Sequence, residues 1–336
     1  MSSFNYYSIH DIIKIKTNVK VPIPDYFRRK NEFEPDIEYI QEDLDIDTSV
    51  ENKARTRNFF YWREGQKLII DYQAPFLNAK LLIDNLEGKT KIKFTNAFRK
   101  YVRLDIPIRS IIEIKLIQKK FALIHSGCLN YKGNCFLFTA TRDTGKTSTI
   151  LSLLDGKNFK FMSDDLTIIS KDGIAFSYPE KVDISPYTLT GSIFPAYSNK
   201  IKGKLAKSHF ITLFSGRFLN VELTEQREIP KNLIENRGSI DKVFVLVGGN
   251  NKEGIEQIDN EEAVRKIFSS TIELINPSKE YLLNLYSYVC NFDLFDLLVK
   301  EREIISKAVK DAECFEVRSN KVKRFPEMIK EVIRNE

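Results

Sequence analysis

The chain has 336 residues, 42% hydrophobic and 29% charged, with 24 Phe and 14 Tyr. A sequence this long and aromatic buries a sizeable core, which excludes wholesale disorder. Its net charge of +6 comes from 52 basic and 46 acidic residues spread along the chain; that suits an anionic ligand, but no basic stripe or RNA-binding motif accompanies it, so no nucleic-acid partner is expected.

No stretch reaches the roughly 18 uncharged apolar residues of a membrane span. The opening MSSFNYYSIHDIIKIK lacks the basic-then-apolar plan of a secretion signal, so a cytoplasmic protein is expected. Cys128, Cys135, Cys290 and Cys314 show no C-x-x-C spacing, and His10, His125 and His209 are the three histidines. This disfavours structural zinc and reads as four buried thiols in a reducing compartment.

In chain order, Val21-Pro22-Ile23-Pro24 is an extended, proline-stiffened segment. Residues 31–50 hold eight carboxylates and no Lys or Arg, which predicts a solvated loop or edge strand. FFYWRE and KLIIDY around Gly65 predict a β-hairpin. Residues 1–105 are expected to form a small β-rich N-terminal domain without evident chemistry, and residues 106–336 a second domain.

That second part predicts a helix over 111–121, a strand over 122–125 and a hairpin turning at Lys132-Gly133. KVFVLV (242–247) reads as a buried strand, and 259–268 as a helix capped by Asp259 or Asn260. Pro277 opens another helix with Leu282, Leu283, Tyr286 and Val289 on one face. A strand at ECFEV and a helix from near Pro326 close the chain.

The most informative passage is TATRDTGKTST, residues 139–149. A strand runs into a loop ending Gly145-Lys146-Thr147, and an apolar helix follows, which is the context a phosphate-binding loop needs. Loop and helix-terminus N–H groups converge there on an anion. Ala140, Thr141, Arg142, Asp143, Thr144, Gly145, Lys146, Thr147 and Ser148 are the candidate nucleotide contacts. Lys146 would reach the β- and γ-phosphates, and Thr147 would ligate Mg²⁺.

Ala140 stands where G-x-x-x-x-G-K-[ST] has its first glycine, a change tolerated only at negative φ. Asp164-Asp165 lies 18 residues beyond Lys146 (164 − 146), room for a short helix, a turn at Asp155-Gly156 and a strand alongside the first. A right-handed crossover would bring both carboxylates to the loop, one for Mg²⁺ and one as proton acceptor. The competing reading is a plain turn opening the hairpin LTIIS-KDG-IAFS. His125, read as lying in the strand before the Lys132-Gly133 hairpin, is a candidate for orienting the acid or a phosphate. Lys202, Lys204 and Lys207 are a candidate phosphate clamp or a solvated loop.

ALIHSGC, the hairpin, FTATRDTGKT, a short helix and FMSDDLTIIS together resemble the HPr kinase/phosphorylase group and its related kinases. VPIP, SYPEKVDISP, KVFVLVGG with NEEAVRKIF, and CFEVRSNKVKRFPEMIKEVI extend the similarity over most of the chain. The resemblance implies an α/β (α+β mixed sheet) fold with a phosphoenolpyruvate carboxykinase-like P-loop core. It also implies ATP or GTP with Mg²⁺, and phosphoryl transfer to a hydroxyl of a protein, peptide or small molecule. On that reading Asp165, Asp164, His125 and Lys146 are catalytic, and Thr147 and Asp164 hold the metal; Asp165 is slightly favoured as base.

Ala140 and Asp143 stand where the family often has glycines. The phosphocarrier-recognition C-terminus of true HPr kinases is not seen, so HPr is not the expected substrate. A nucleotide-binding regulatory or scaffold protein without turnover is the alternative; a decarboxylating carboxykinase matches only the loop. Assembly as a homo-oligomer is left open.

Overall fold

The computed structural model describes residues 4–74, 77–102, 106–154, 158–184, 188, 225–249 and 252–334. In chain order the strands and helices begin with β1 (Asn5–Ile9), β2 (Ile13–Thr17), β3 (Arg28–Arg29), β4 (Ile37–Gln41), β5 (Ala54–Arg55), β6 (Phe60–Glu64), β7 (Lys67–Ala74), β8 (Leu77–Asp84), β9 (Thr90–Phe94), α1 (Asn96–Tyr101) and α2 (Ile108–Gln118). Next come β10 (Phe121–Ile124), β11 (Gly127–Tyr131), β12 (Asn134–Ala140), α3 (Lys146–Leu153), β13 (Phe159–Ser163), β14 (Thr167–Ser170), β15 (Ile174–Phe176), β16 (Val182–Ile184) and β17 (Glu225–Arg227). The remainder is β18 (Arg237–Gly248), β19 (Gly254–Gln257), α4 (Asn260–Leu274), α5 (Tyr281–Cys290), α6 (Leu294–Ala308), β20 (Glu313–Ser319) and α7 (Arg324–Arg334). The class is mixed α/β.

The described residues divide into two compact units: Met1–Ala122 with Ile275–Glu303, and Leu123–Leu274 with Ile304–Glu336. The first unit therefore runs past 105 and recovers a later helical segment. Two buried contacts explain this. Lys115 on α2 donates to the carbonyls of Leu86 and Gly88 at 2.6 and 2.5 Å, tying α2 to the β8–β9 turn. Tyr286 on α5 donates its hydroxyl to the Gln66 carbonyl at 2.7 Å and accepts from the Leu86 N–H at 3.2 Å.

The first unit's sheet has the order β3-β1-β2-β4-β9-β8-β7-β6-β5. The hairpin read around Gly65 forms, with Gly65 at φ 61. The acidic tract is irregular on both sides of β4, as read, but β4 itself is an interior strand rather than an edge, parallel to β2 on one side and β9 on the other. Ile37, Tyr39 and Ile40 are buried, and Glu38 pairs in register with Lys16 and Lys91 on the flanking strands. Cross-strand opposite charges offset the like charges along the tract.

The second unit carries the order β10-β14-β15-β18-β12-β11-β13, with β20 paired to the later half of β18 and β19 to β20. Residues of β12 alternate between its two faces. Phe136, Phe138 and Ala140 join a core with Ile150, Leu151 and Leu153 of α3 and Phe325, Met328 and Ile329 of α7. Thr139 turns to the other face and meets Ser270 of α4.

Three parallel strands hold this core in register: Phe138 lies opposite Phe244, which lies opposite Phe315. Their rings stack in sequence, each pair 5.6 Å between centroids. Offset aromatic contacts add to the area these rings bury.

In the first unit, Glu113 of α2 and Glu301 of α6 are fully buried, and no carboxyl oxygen of either has a hydrogen-bond donor among the described residues. Burial, then the mutual proximity of the two groups, pushes Glu113 well up; burial pushes Glu301 up to about 8. The folded state thus keeps protons that the unfolded chain releases above the ordinary carboxylate range. Stability conferred by the protonated pair is present at low pH and falls as pH rises from about 4.5 toward 8. We expect Glu113→Gln to flatten this decline, measured as the melting temperature between pH 5 and 9.

Candidate functional site

β12 delivers the chain from the centre of the second sheet to the loop 141–145, and α3 leaves it. Ala140 is the last residue of β12, paired with Leu246 of β18 and nearly buried. It is extended strand, so no glycine is required there. Asp143 takes a left-handed φ of 60°, a conformation Asp tolerates better than most residues.

Gly145 caps α3 at φ 104°. A Cβ there would stand 2.6 Å from Val322 Cγ1, so both backbone and packing demand glycine. Thr144 braces the loop, donating to the Thr141 carbonyl at 2.9 Å. The Thr149 N–H bonds to the Gly145 carbonyl at 2.9 Å, opening the helix's own ladder. The N–H groups ahead of it in the first turn are outside that ladder and favour an anion. Lys146, Thr147 and Ser148 form this turn, with Lys146 and Ser148 buried. Arg142 lies 3.9 Å from Glu273 of α4 at the exposed lip.

Asp164 and Asp165 follow β13. That strand pairs with β11, not with β12. The expected neighbour relation is thus displaced by one strand, because the Lys132-Gly133 hairpin folds β11 between them. β13 runs antiparallel to β11, and β11 to β12, so β13 and β12 still end on the same side. Gly127, at the start of β11, allows the close approach: a Cβ there would meet Ile150 Cδ1 at 2.1 Å and the Asp164 carbonyl oxygen at 2.7 Å.

Thr147 donates its hydroxyl to Asp164 Oδ2 at 2.9 Å. Lys146 Nζ lies 3.1 Å from Asp165 Oδ1, an ion pair off the line of a well-directed hydrogen bond. His125 Nε2 lies 4.0 Å from the same oxygen. His125 sits in the bend after β10 rather than within a strand, and β10 pairs with β14. It reaches the site because the bend turns back beside Thr139. The competing turn reading also holds in part, since β14 and β15 form the expected hairpin through Gly173.

Asp164 is buried and Asp165 is 56% exposed on its side chain. Burial first, then the charge of Asp165, raises Asp164 to about 7; Lys146 and the Thr147 hydroxyl act against this, and Asp183 adds to it. Asp164 Oδ1 is buried without a hydrogen-bond donor among the described residues. An oxygen pair with one orphaned carboxylate atom beside a threonine hydroxyl fits a hard divalent cation. No group of three or more His, Cys, Asp or Glu able to hold a metal occurs among the described residues. Such an ion would therefore take further oxygens from phosphates and water, as Mg²⁺ commonly does.

Lys202, Lys204 and Lys207 lie outside the described residues, as does the Asp155-Gly156 turn. Sequence reasoning missed Ser270, Thr271 and Val322. The signal for the first two was present: both lie three and four residues beyond Ile267, on the buried face of α4, where a polar side chain needs a partner.

Gly145→Ala should lower stability by about 1–3 kcal/mol through backbone strain alone, with the Val322 clash added. Combining it with Val322→Ala should recover only the packing part. Denaturant unfolding of the single and double variants measures both.

No family model matches the chain, and no curated protein matches it. Among solved structures, one match is an HPr(Ser) kinase/phosphatase from Coxiella burnetii at 10% identity and a TM-score of 0.30, covering 63% of this chain and 94% of that one. Likeness at this level carries no argument about activity.

Proposed function

We propose that the chain is a Mg²⁺-dependent kinase that transfers the γ-phosphoryl group of ATP or GTP to a hydroxyl on a protein, peptide or small molecule. The observation that carries this reading is the convergence of Lys146, Thr147, Asp164, Asp165 and His125 at the mouth of a strand–loop–helix turn. Phosphoryl transfer asks a protein mainly for positioning and charge neutralisation. In this arrangement the loop amides and Lys146 would hold the phosphate tail. Thr147 and Asp164 would hold Mg²⁺, which neutralises charge on the phosphates when bound.

Asp165 suits the base. Asp164 is tied to Thr147 and shielded, whereas Asp165 is open to an incoming hydroxyl. Asp165 would take the hydroxyl proton as the oxygen attacks the γ-phosphorus and the nucleoside diphosphate leaves. Lys146 beside Asp165 links the acid to the phosphate end of the site.

The missing glycines motivated a reading without turnover. Ala140 lies in ordinary strand and Asp143 takes a left-handed conformation that Asp tolerates, which supports a loop able to form without those glycines. Among the described residues no single helix is long and apolar enough to cross a membrane, and the four free cysteines suit a reducing compartment.

Lys146→Ala should abolish phosphoryl transfer with the far-ultraviolet spectrum retained; an unchanged rate would overturn the reading. Asp165→Asn should lower kcat by about 10²- to 10⁴-fold while nucleotide affinity stays within a few fold. γ-labelled nucleotide with candidate acceptors, read by mass spectrometry beside a binding titration, tests both.

A further inference from the structure

His125 is held by more contacts than a residue at the rim of a site requires. Its N–H donates to Thr271 Oγ1 at 3.0 Å, and the Thr271 hydroxyl in turn lies 2.8 Å from the Ile267 carbonyl, to which it donates. Its own carbonyl lies 3.4 Å from the hydroxyls of Thr139 and Ser270, which are 3.0 Å from each other. Its ring Nδ1 lies 3.3 Å from the Ser270 carbonyl. Helix α4 and strand β12 thus fix both the backbone and the ring of a residue that is 6% exposed.

The Ser270 contact fixes the tautomer. A carbonyl oxygen only accepts, so Nδ1 must carry the ring proton and Nε2 presents a lone pair. That lone pair faces Asp165 Oδ1 at 4.0 Å. Two acceptors side by side do not attract each other; they converge on a donor placed between them. In the kinase reading that donor is the attacking hydroxyl.

We propose that Thr271, with the Ser270 carbonyl, is a positioning element that holds His125 as the Nδ1–H tautomer, so that Nε2 and Asp165 together aim the acceptor hydroxyl. The proposal rests on the kinase reading for the identity of the hydroxyl, but not for the state of the ring.

The charged surroundings support a neutral ring. Lys146 of α3, Arg142 of the loop and Asp165 after β13 face His125, while α4 offers the Ser270 carbonyl and, farther along, Glu273 paired with Arg142. Burial first, and Lys146 second, lower His125 to about 4, against the opposing pull of Asp165. The ring is therefore a neutral hydrogen-bond acceptor rather than a cation near neutral pH.

Nitrogen-15 spectra of the histidine rings test this directly. The chain holds three histidines, and a His125→Gln spectrum assigns the signal by difference. In the 336-residue chain we expect His125 with its proton on Nδ1 and no titration between pH 5.5 and 8, in the absence of nucleotide. Thr271→Val leaves the His125 N–H without its acceptor. With the backbone no longer held, the ring should sample the other tautomer as well.

Thr271→Val should also lower kcat by about tenfold or more, with nucleotide KM within twofold. Thr271→Ser should restore both the rate and the single tautomer. A wild-type ring protonated on Nε2, or one titrating in the ordinary histidine range, overturns the proposal. So does a Thr271→Val protein that matches wild type, or a loss that Thr271→Ser fails to repair. Should Thr271→Val not fold, the wild-type ring and Thr271→Ser still decide. If wild type transfers no phosphoryl group to any acceptor, the kinase reading fails, while the ring spectra still decide the positioning claim.

Discussion

The candidate site depends on one constraint: three parallel strands, β12, β18 and β20, must stay in register where Phe138, Phe244 and Phe315 stack across them. Two residues beyond Phe138 the chain leaves the sheet at Ala140 and enters the loop. A slip of one residue would turn the aromatic face outward and swing Thr139 away from α4. The stack therefore sets the height and rotation at which the loop begins, and α3 and α7 pack against the same face. Much of the unit's apolar core serves to hold one strand end still.

At that strand end the electrostatics are deliberately unbalanced. Asp164 is shielded from water with a neighbouring carboxylate, while Lys146 compensates from the Asp165 side. Such crowding disfavours two full negative charges and leaves the pocket receptive to a cation. His125 answers the same field in the opposite sense, staying neutral beside Lys146. Two acids of adjacent sequence thus occupy different environments, one enclosed and bonded to Thr147, the other open. Divergent surroundings of this kind are what allow neighbouring carboxylates to take separate parts in one reaction.

Much of the local architecture was legible in the sequence because it depends on short-range rules. Lys132-Gly133 and Gly65 announced their hairpins, and both glycines take positive φ. Asp259 capped α4, accepting from the Glu262 N–H at 2.8 Å. Gly145-Lys146-Thr147 announced the loop. What escaped depended on partners distant in the chain. The middle of the acidic tract became an interior strand, β4, with Lys16 and Lys91 flanking Glu38, and no local pattern predicts that company. β11 intruded between β12 and β13 because a hairpin can fold to either side of its partner. α2 and α5 joined the first unit through Lys115 and Tyr286, whose bonds reach turns far away in sequence. Ser270 and Thr271 were visible as polar residues on an apolar helix face, yet their partner His125 lies about 145 positions earlier.

Gly127 carries a consequence of its own. Its missing side chain is the space into which Ile150 Cδ1 and the Asp164 backbone settle, so helix α3 and the acid step touch the same strand at one point. An alanine there would press on both at once, and a shorter residue at 150 would relieve the side-chain clash but not the one with the Asp164 carbonyl oxygen. Glycine at 127 should therefore persist wherever the acid step keeps this close approach, whatever residue stands at 150, and its loss in a genomic survey would mark chains whose acid step has moved away from the strand.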